Sequence, residues 1–212
     1  MRIAVIGATG MAGSRIVAEA ARRGHTVSGF SRSQSTDTAR LPGFTFSTAD
    51  AADPETMGRI AAEHEVVVLA TRPAPGTEGD VSSPLTTVLD AARHSGRRVL
   101  VIGGAGPLKS PNHSNRLVID DQRFVPQQWR TIAQASVDQF NACTAHQADW
   151  TYLSPPALFE PGTRTGAYRR GGDQLLIDVN GESRISAEDL AIAAVDEIEN
   201  PEPGLRHFTV AY

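Results

Sequence analysis

Three short stretches of this chain are wholly apolar: Ile3-Ala4-Val5-Ile6, Val66-Val67-Val68-Leu69 and Val99-Leu100-Val101-Ile102. A strand with one wet face alternates apolar and polar residues, whereas an unbroken apolar run is buried on both faces. Helical patterns lie between these runs. That alternation restricts the fold to the α/β class, a doubly wound parallel sheet covered by helices on both sides.

The local signals place the elements. A helix is predicted from about Met11 to Arg23, with Ile16, Val17 and Ala20 on one face and Gly24 as a left-handed stop. Thr26–Phe30 is the second strand and Phe44–Phe46 the third. Asp53 caps a helix whose first residue is Pro54. Glu65 to Ala70 holds the fourth strand, Pro84 to Ser95 a helix stopped by Gly96, and 99–102 the fifth strand. Residues 103 to about 125 read as a long loop, followed by a helix from about Gln127 to Gln147 and a strand at Trp150–Leu153. Ser154-Pro155-Pro156 ends that strand, and 155–173 is again loop. Asn180-Gly181 between Leu175–Asp178 and Ser183–Ile185 predicts a hairpin. Ser186 and Asp189 open a last helix ending near Asn200, and His207–Tyr212 is the last strand. The 212 residues read as one domain, a core over about 1–153 and a small substrate-side extension over about 154–212.

The first strand runs into Gly7-Ala8-Thr9-Gly10-Met11-Ala12-Gly13. At a strand–helix junction this spacing has a mechanical meaning. Gly7 permits a tight turn, Gly10 lets the backbone approach a pyrophosphate, and Gly13 lets the helix pack closely on the sheet. The amides of the first helical turn then face the phosphates. The expected ligand is a dinucleotide, and the end of the second strand chooses between its two forms. NAD(H) sites carry an acidic residue there for the ribose 2′-hydroxyl. Here stand Ser31, Arg32 and Ser33, and the next acid is Asp37. A guanidinium in that place favours the 2′-phosphate of NADP(H) over NAD(H). The alternative is an arginine that stacks on adenine and tolerates both.

Further candidates follow the carboxyl ends of strands, where open α/β sheets bind ligands. Asp50 is placed to accept from the adenine amine, and Ala70, Thr71 and Arg72, before Pro73, follow the fourth strand. Gly103 and Gly104, continuing into Ala105 and Gly106, lie where a nicotinamide belongs; alternatively they only turn the chain. Arg164, Tyr168, Arg169 and Arg170 form a basic loop that either holds an anion or is solvated. Tyr152 reads as core, His113 as an exposed loop residue and Cys143 as inert packing.

Composition excludes several classes. A net charge of −4 gives no basic face for nucleic acid or an anionic membrane. No run approaches the ~18 apolar residues of a membrane span. One cysteine allows neither an intrachain disulfide nor a thiolate metal cluster, and the six histidines show no metal-ligand spacing. The Asn112-His113-Ser114 sequon carries no weight without a secretory route, and the apolar start is too short for a signal peptide, so the expected location is cytoplasmic.

With these residues in view, the chain resembles the atypical branch of the short-chain dehydrogenase/reductase superfamily. The opening Gly-Ala-Thr-Gly-Met-Ala-Gly carries the likeness to its NAD(P)-binding members. Val101–Gly106, Ser154–Phe159, Gly172–Leu176 and Ser186–Asp189 are similar to a smaller group described as NADH–flavin reductases. Biliverdin/flavin reductases and dinucleotide-sensing regulators are related to that group. The resemblance implies an NAD(P)-binding Rossmann fold and an oxidoreductase. One departure matters: the superfamily's Tyr-x-x-x-Lys needs a tyrosine four residues before a lysine, but the only lysine is Lys109 and position 105 is Ala105. Carbonyl chemistry and the epimerase or dehydratase reactions that use that pair are disfavoured. Hydride transfer to a flat flavin-like or quinone-like acceptor, which needs mainly stacking and orientation, is favoured. A non-catalytic NADP(H) sensor is the alternative.

Overall fold

The computed structural model describes residues 1–33, 41–72, 82–111 and 113–212. Asp37, Pro73 and Asn112 lie outside the described residues. The strands are β1 (Arg2–Ile6), β2 (Thr26–Ser31), β3 (Phe44–Thr48), β4 (Val66–Leu69), β5 (Arg98–Ile102), β6 (Lys109–Ser110), β7 (His113–Leu117), β8 (Trp150–Ser154), β9 (Leu158–Glu160), β10 (Arg169–Gly171), β11 (Arg184–Ser186) and β12 (His207–Ala211). The helices are α1 (Met11–Arg22), α2 (Pro54–Glu63), α3 (Ser82–Ser95), α4 (Arg130–Thr144) and α5 (Ala187–Glu199).

One eight-stranded sheet runs in the order β10-β12-β8-β5-β4-β1-β2-β3, parallel throughout except for β10 at its end. The all-apolar runs occupy its middle. Every residue of β4 and β8 is buried, as are four of the five in each of β1 and β5. Helices α1 and α5 pack together over one face and bury Ile3, Val5, Leu100 and Phe208. Helices α2, α3 and α4 cover Ala4, Ile6, Val67, Leu69, Val101 and Tyr152 on the other. The chain winds outward through β2 and β3, then returns to β4 beside β1. The crevice of this doubly wound Rossmann fold therefore opens at the carboxyl ends of β1 and β4, where strand order reverses.

The local signals act as read at α2, where the Asp53 side chain accepts from Glu55 N, and at Gly24, whose φ is +82°. Elsewhere the structure corrects the reading. Residues 103–125 are not a plain loop: β6 and β7 pair antiparallel, and a 3-10 turn follows at Val118–Asp120. Lys109 N donates to Asp173 O, so that segment is held against the far end of the chain. Leu108, Val118, Val125 and Leu175 form a small core of their own there. The Asn180-Gly181 turn closes, with Gly181 N donating to Asp178 O and Asp178 N to Glu182 O, but no strand ladder continues beyond that bond. Leu175 bonds to Lys109 O instead, and β11 runs parallel to β9. The 155–173 loop likewise contains β9 and β10. The predicted 127–147 helix is a 3-10 turn at Gln127–Trp129 followed by α4.

Candidate dinucleotide site at the carboxyl edge

At the end of β1 the chain turns within three residues: Gly7 and Ala8 N–H both donate to Phe30 O, and Gly10 N donates to Gly7 O. Gly7 has φ +89°, and a Cβ on it would stand 2.5 Å from the Ala70 carbonyl oxygen. A Cβ on Gly13 would stand 2.1 Å from Gly7 O. These two glycines let α1, the turn and the end of β4 touch backbone to backbone. Gly10 differs: its φ is −74°, it is exposed, and its Cβ would meet nothing closer than 3.2 Å. A contact of 3.2 Å with a backbone oxygen is tight but far less severe than those at Gly7 and Gly13, so the fold alone constrains Gly10 least of the three.

Helix α1 begins there bare, as α4 also does. Gly10 provides no side-chain cap, and no acidic residue lies in the first turn. The first intrahelical bond is Ser14 N to Gly10 O, so the N–H groups of Met11, Ala12 and Gly13 have no partner within the helix. By contrast α2 is capped by Asp53 and α5 by Ser186, each with acid in its first turn. The partial positive charge at the start of α1 is left for an external anion. Thr9 stands exposed beside it.

The neighbouring strand ends supply the other half of the site. Arg32, Thr48, Ala49, Asp50 and Thr56 line an open cleft of about 330 Å³. Parallel pairing of β2 with β3, Ser31 opposite Thr48, brings Arg32 and Asp50 to one opening. Asp50 accepts from Ala52 N at 3.0 Å, which fixes its carboxylate at the rim. The Ser31 hydroxyl donates to Ser33 O, so its proton is not available to a phosphate. Thr48 and Thr56 were not singled out from sequence. The signal for Thr48 was its place at the end of the strand next to β2, legible only once strand order is known.

Beyond β4, Ala70 N donates to Ile6 O, Thr71 is half-buried and Arg72 exposed. Beyond β5 the glycines have a packing reason. A Cβ on Gly103 would fall 2.0 Å from the Tyr152 ring, one on Gly104 2.8 Å from Ser136 Cβ, and one on Gly106 2.5 Å from Ala133 O. They admit α4 and Tyr152 to the rim, and Gly103 N–H is taken by Leu153 O.

Among the described residues no general acid of the superfamily's usual kind stands here. The α4 sequence contains neither tyrosine nor lysine. Tyr152 is fully buried, its hydroxyl shared between Ser136 O and Gln139 Oε1, and burial pushes its phenol far up. Lys109 is tied to Asp173 at 2.7 Å. Burial brings His207 down to about 4, leaving a neutral ring bonded to Ser154 Oγ at 2.9 Å. Burial pushes the Cys143 thiol up to about 12, so it is inert packing.

The basic loop does not form an open anion site. Arg164 grips Glu19, Tyr168 donates to Asp196 at 2.5 Å, Arg169 donates to Tyr212 O, and Arg170 pairs with the buried Glu197 at 2.5 Å. These side chains fasten the extension to α1, α5 and β12. His113 lies exposed in β7 rather than in a loop.

Residues 7–201 match the family described as NAD(P)H-binding. The chain belongs to that family. Among solved structures, a Burkholderia pseudomallei protein provisionally described as exported is 40% identical, with a TM-score of 0.88 and both chains covered in full. A Bacteroides thetaiotaomicron protein provisionally described as an epimerase is 30% identical, with a TM-score of 0.89 over 100% of this chain and 96% of that one. A Streptococcus pneumoniae protein provisionally described as an NADH–flavin reductase is 28% identical, with a TM-score of 0.88 over 100% and 99%. The chain is thus an NAD(P)H-binding member with the Rossmann fold of oxidoreductases, and the Gly7–Gly13 turn and bare α1 terminus fit a dinucleotide pyrophosphate. Among the described residues no helix is long and apolar enough to cross a membrane.

Proposed function

We propose that the protein is an NADPH-dependent reductase that passes hydride to a flat flavin-like or quinone-like acceptor. The observation that carries the cofactor choice is the cleft where Arg32 and Thr48 meet Asp50 at the ends of β2 and β3. Arg32 holds the 2′-phosphate, Asp50 accepts from the adenine amine, and the first-turn amides of α1 hold the pyrophosphate. Ala70, Thr71 and Arg72 line the crevice, and the backbone at Gly103 and Gly104 borders its nicotinamide end. A charge-assisted arginine–phosphate contact contributes about 1.5–3 kcal/mol, a tenfold to hundredfold preference for NADPH.

When bound, the reduced nicotinamide supplies the hydride. The protein's part is to orient two rings and keep the rim free of bulk; the acceptor takes its proton from water. An epimerase or dehydratase acting through tyrosine and lysine is disfavoured, because α4 offers neither. A cytosolic location is part of this reading.

The test is oxidation of NADPH by the purified protein with free flavins and small quinones, against protein-free controls. Acceptor-dependent turnover supports the reductase. Saturable NADPH binding without turnover on any acceptor overturns it in favour of a dinucleotide sensor.

A further inference from the structure

We propose that Trp129, with Ile132 beside it, forms the outer wall of the acceptor site and stacks on the flat ring of an acceptor that carries an anionic tail. This rests on the reductase reading and adds the residue and substrate class.

Trp129 is 54% exposed and Ile132 38% exposed, which makes the head of α4 the one place among the described residues where two large apolar side chains stand out within one helical turn. The other tryptophan is core: Trp150 is 5% exposed and its indole N–H donates to His146 O. Trp129 N donates to Pro126 O at the end of a 3-10 turn, and its backbone is already helical.

Helical spacing says what this side chain overlooks. Trp129, Ala133 and Ser136 are at i, i+4 and i+7 and share one face. That face presses on the rim beyond β5, where a Cβ on Gly106 would meet Ala133 O and one on Gly104 would meet Ser136. Register places Ile6, Leu69, Val101 and Tyr152 in one row across the sheet, so Gly7, Ala70 and Gly103 stand just past it at the crevice. Trp129 continues the α4 face one turn further out, and helical side chains lean toward the helix N-terminus. Ala133, one turn on from Trp129, packs with Ala105 and Phe124 against the small core beneath.

Charge around the patch chooses the tail. Arg116 donates to Asp120 O, Arg123 to Gly181 O, and Arg130 pairs with Asp120 at 2.7 Å. Asp121 is buried and engaged by the Ser110 hydroxyl. Two guanidinium groups, Arg116 and Arg130, thus meet at Asp120, whose carboxylate is exposed, and Arg130 directly follows Trp129 in the chain, which suits a phosphate or carboxylate on the acceptor.

The probe is flavin mononucleotide, with riboflavin as the uncharged comparison. Three readouts are taken: KM for the flavin, Kd for NADPH, and Trp129 emission during flavin titration, isolated by comparison with Trp129→Phe. Trp129→Ala is expected to raise the KM for flavin mononucleotide about tenfold, as loss of one ring-stacking contact does, with NADPH binding unchanged. Trp129→Phe should stay within about threefold. Flavin mononucleotide should quench the wild-type emission and bind more tightly than riboflavin. An unchanged KM in Trp129→Ala, or emission indifferent to the flavin, would overturn the inference. Turnover absent with every acceptor would instead sink the reductase reading, while quenching without turnover would still support Trp129 as the ring's contact.

Discussion

Gly10 and Arg32 separate what a residue does for the fold from what it does for a ligand. Gly7 and Gly13 are fixed by backbone contacts of 2.5 and 2.1 Å that any Cβ would break, whereas a Cβ on Gly10 would stand 3.2 Å from Gly7 O, a tight contact that a small shift relieves. Gly10→Val is expected to fold, with a modestly lowered thermal midpoint, and to lose dinucleotide binding at least a hundredfold. A variant that binds normally would remove Gly10 from the pyrophosphate. Arg32→Ala should weaken NADPH binding tenfold to hundredfold and leave NADH within about twofold, because only the 2′-phosphate contact is lost. Equal weakening of both in a calorimetric titration would make Arg32 an adenine-stacking residue. These positions are visible in sequence because glycine spacing and strand ends are local. The packing role of Gly103 was not, since it depends on Tyr152, distant in the chain and joined to it through the pairing of β5 with β8.

At the scale of elements, the legible parts are those whose cause lies within a few residues. Asp53-Pro54 and Ser186 cap their helices as read. The segment from Leu108 to Val125 was illegible because its core is completed by Leu175, and its strand is held by Asp173. The basic loop misled for a related reason: the carboxylates that occupy it, Glu19, Asp196 and Glu197, belong to helices far away in the chain. Ser186 joins both kinds of contact. Its hydroxyl accepts from Asp189 N and donates to Thr163 O, and it lies 2.9 Å from the Tyr212 hydroxyl, which gives its proton to Asp189. Ser186→Ala should thus cost about 2 kcal/mol, the upper end for an N-cap, measured by chemical denaturation. A loss under about 0.5 kcal/mol would show these bonds to be replaceable by water.

For the whole molecule, buried charge sets the response to acid. Burial opposes ionisation of Glu19, but hydrogen bonds from Arg22, Arg164 and Arg23 outweigh it and bring the carboxyl to about 2. Asp189 is fully buried, and donors from Thr165, Gly166 and Tyr212 likewise hold it below its ordinary value. Both groups release their protons more readily folded than unfolded. Their stabilisation is complete above the unfolded values near 4 and is lost as pH falls through the folded ones. His207, buried, drops from 6.5 to about 4, although the charge of Asp173 pulls the other way. The unfolded chain binds that proton more tightly, so stability falls as pH drops from 6.5 toward 4, by roughly 3 kcal/mol. The thermal midpoint should accordingly decline in two stages, first between pH 6.5 and 4 and then more steeply below. His207→Asn should abolish the first stage, and a wild-type midpoint level across that range would contradict the assignment.

The most direct measurement is kcat/KM for NADPH and for NADH in acceptor-dependent oxidation by the wild-type protein, at one fixed concentration of a free flavin. Turnover with a tenfold to hundredfold advantage for NADPH is the result expected from an arginine at the 2′-phosphate and an open rim for hydride transfer. Equal values for the two cofactors, or no turnover above the protein-free rate, would contradict it.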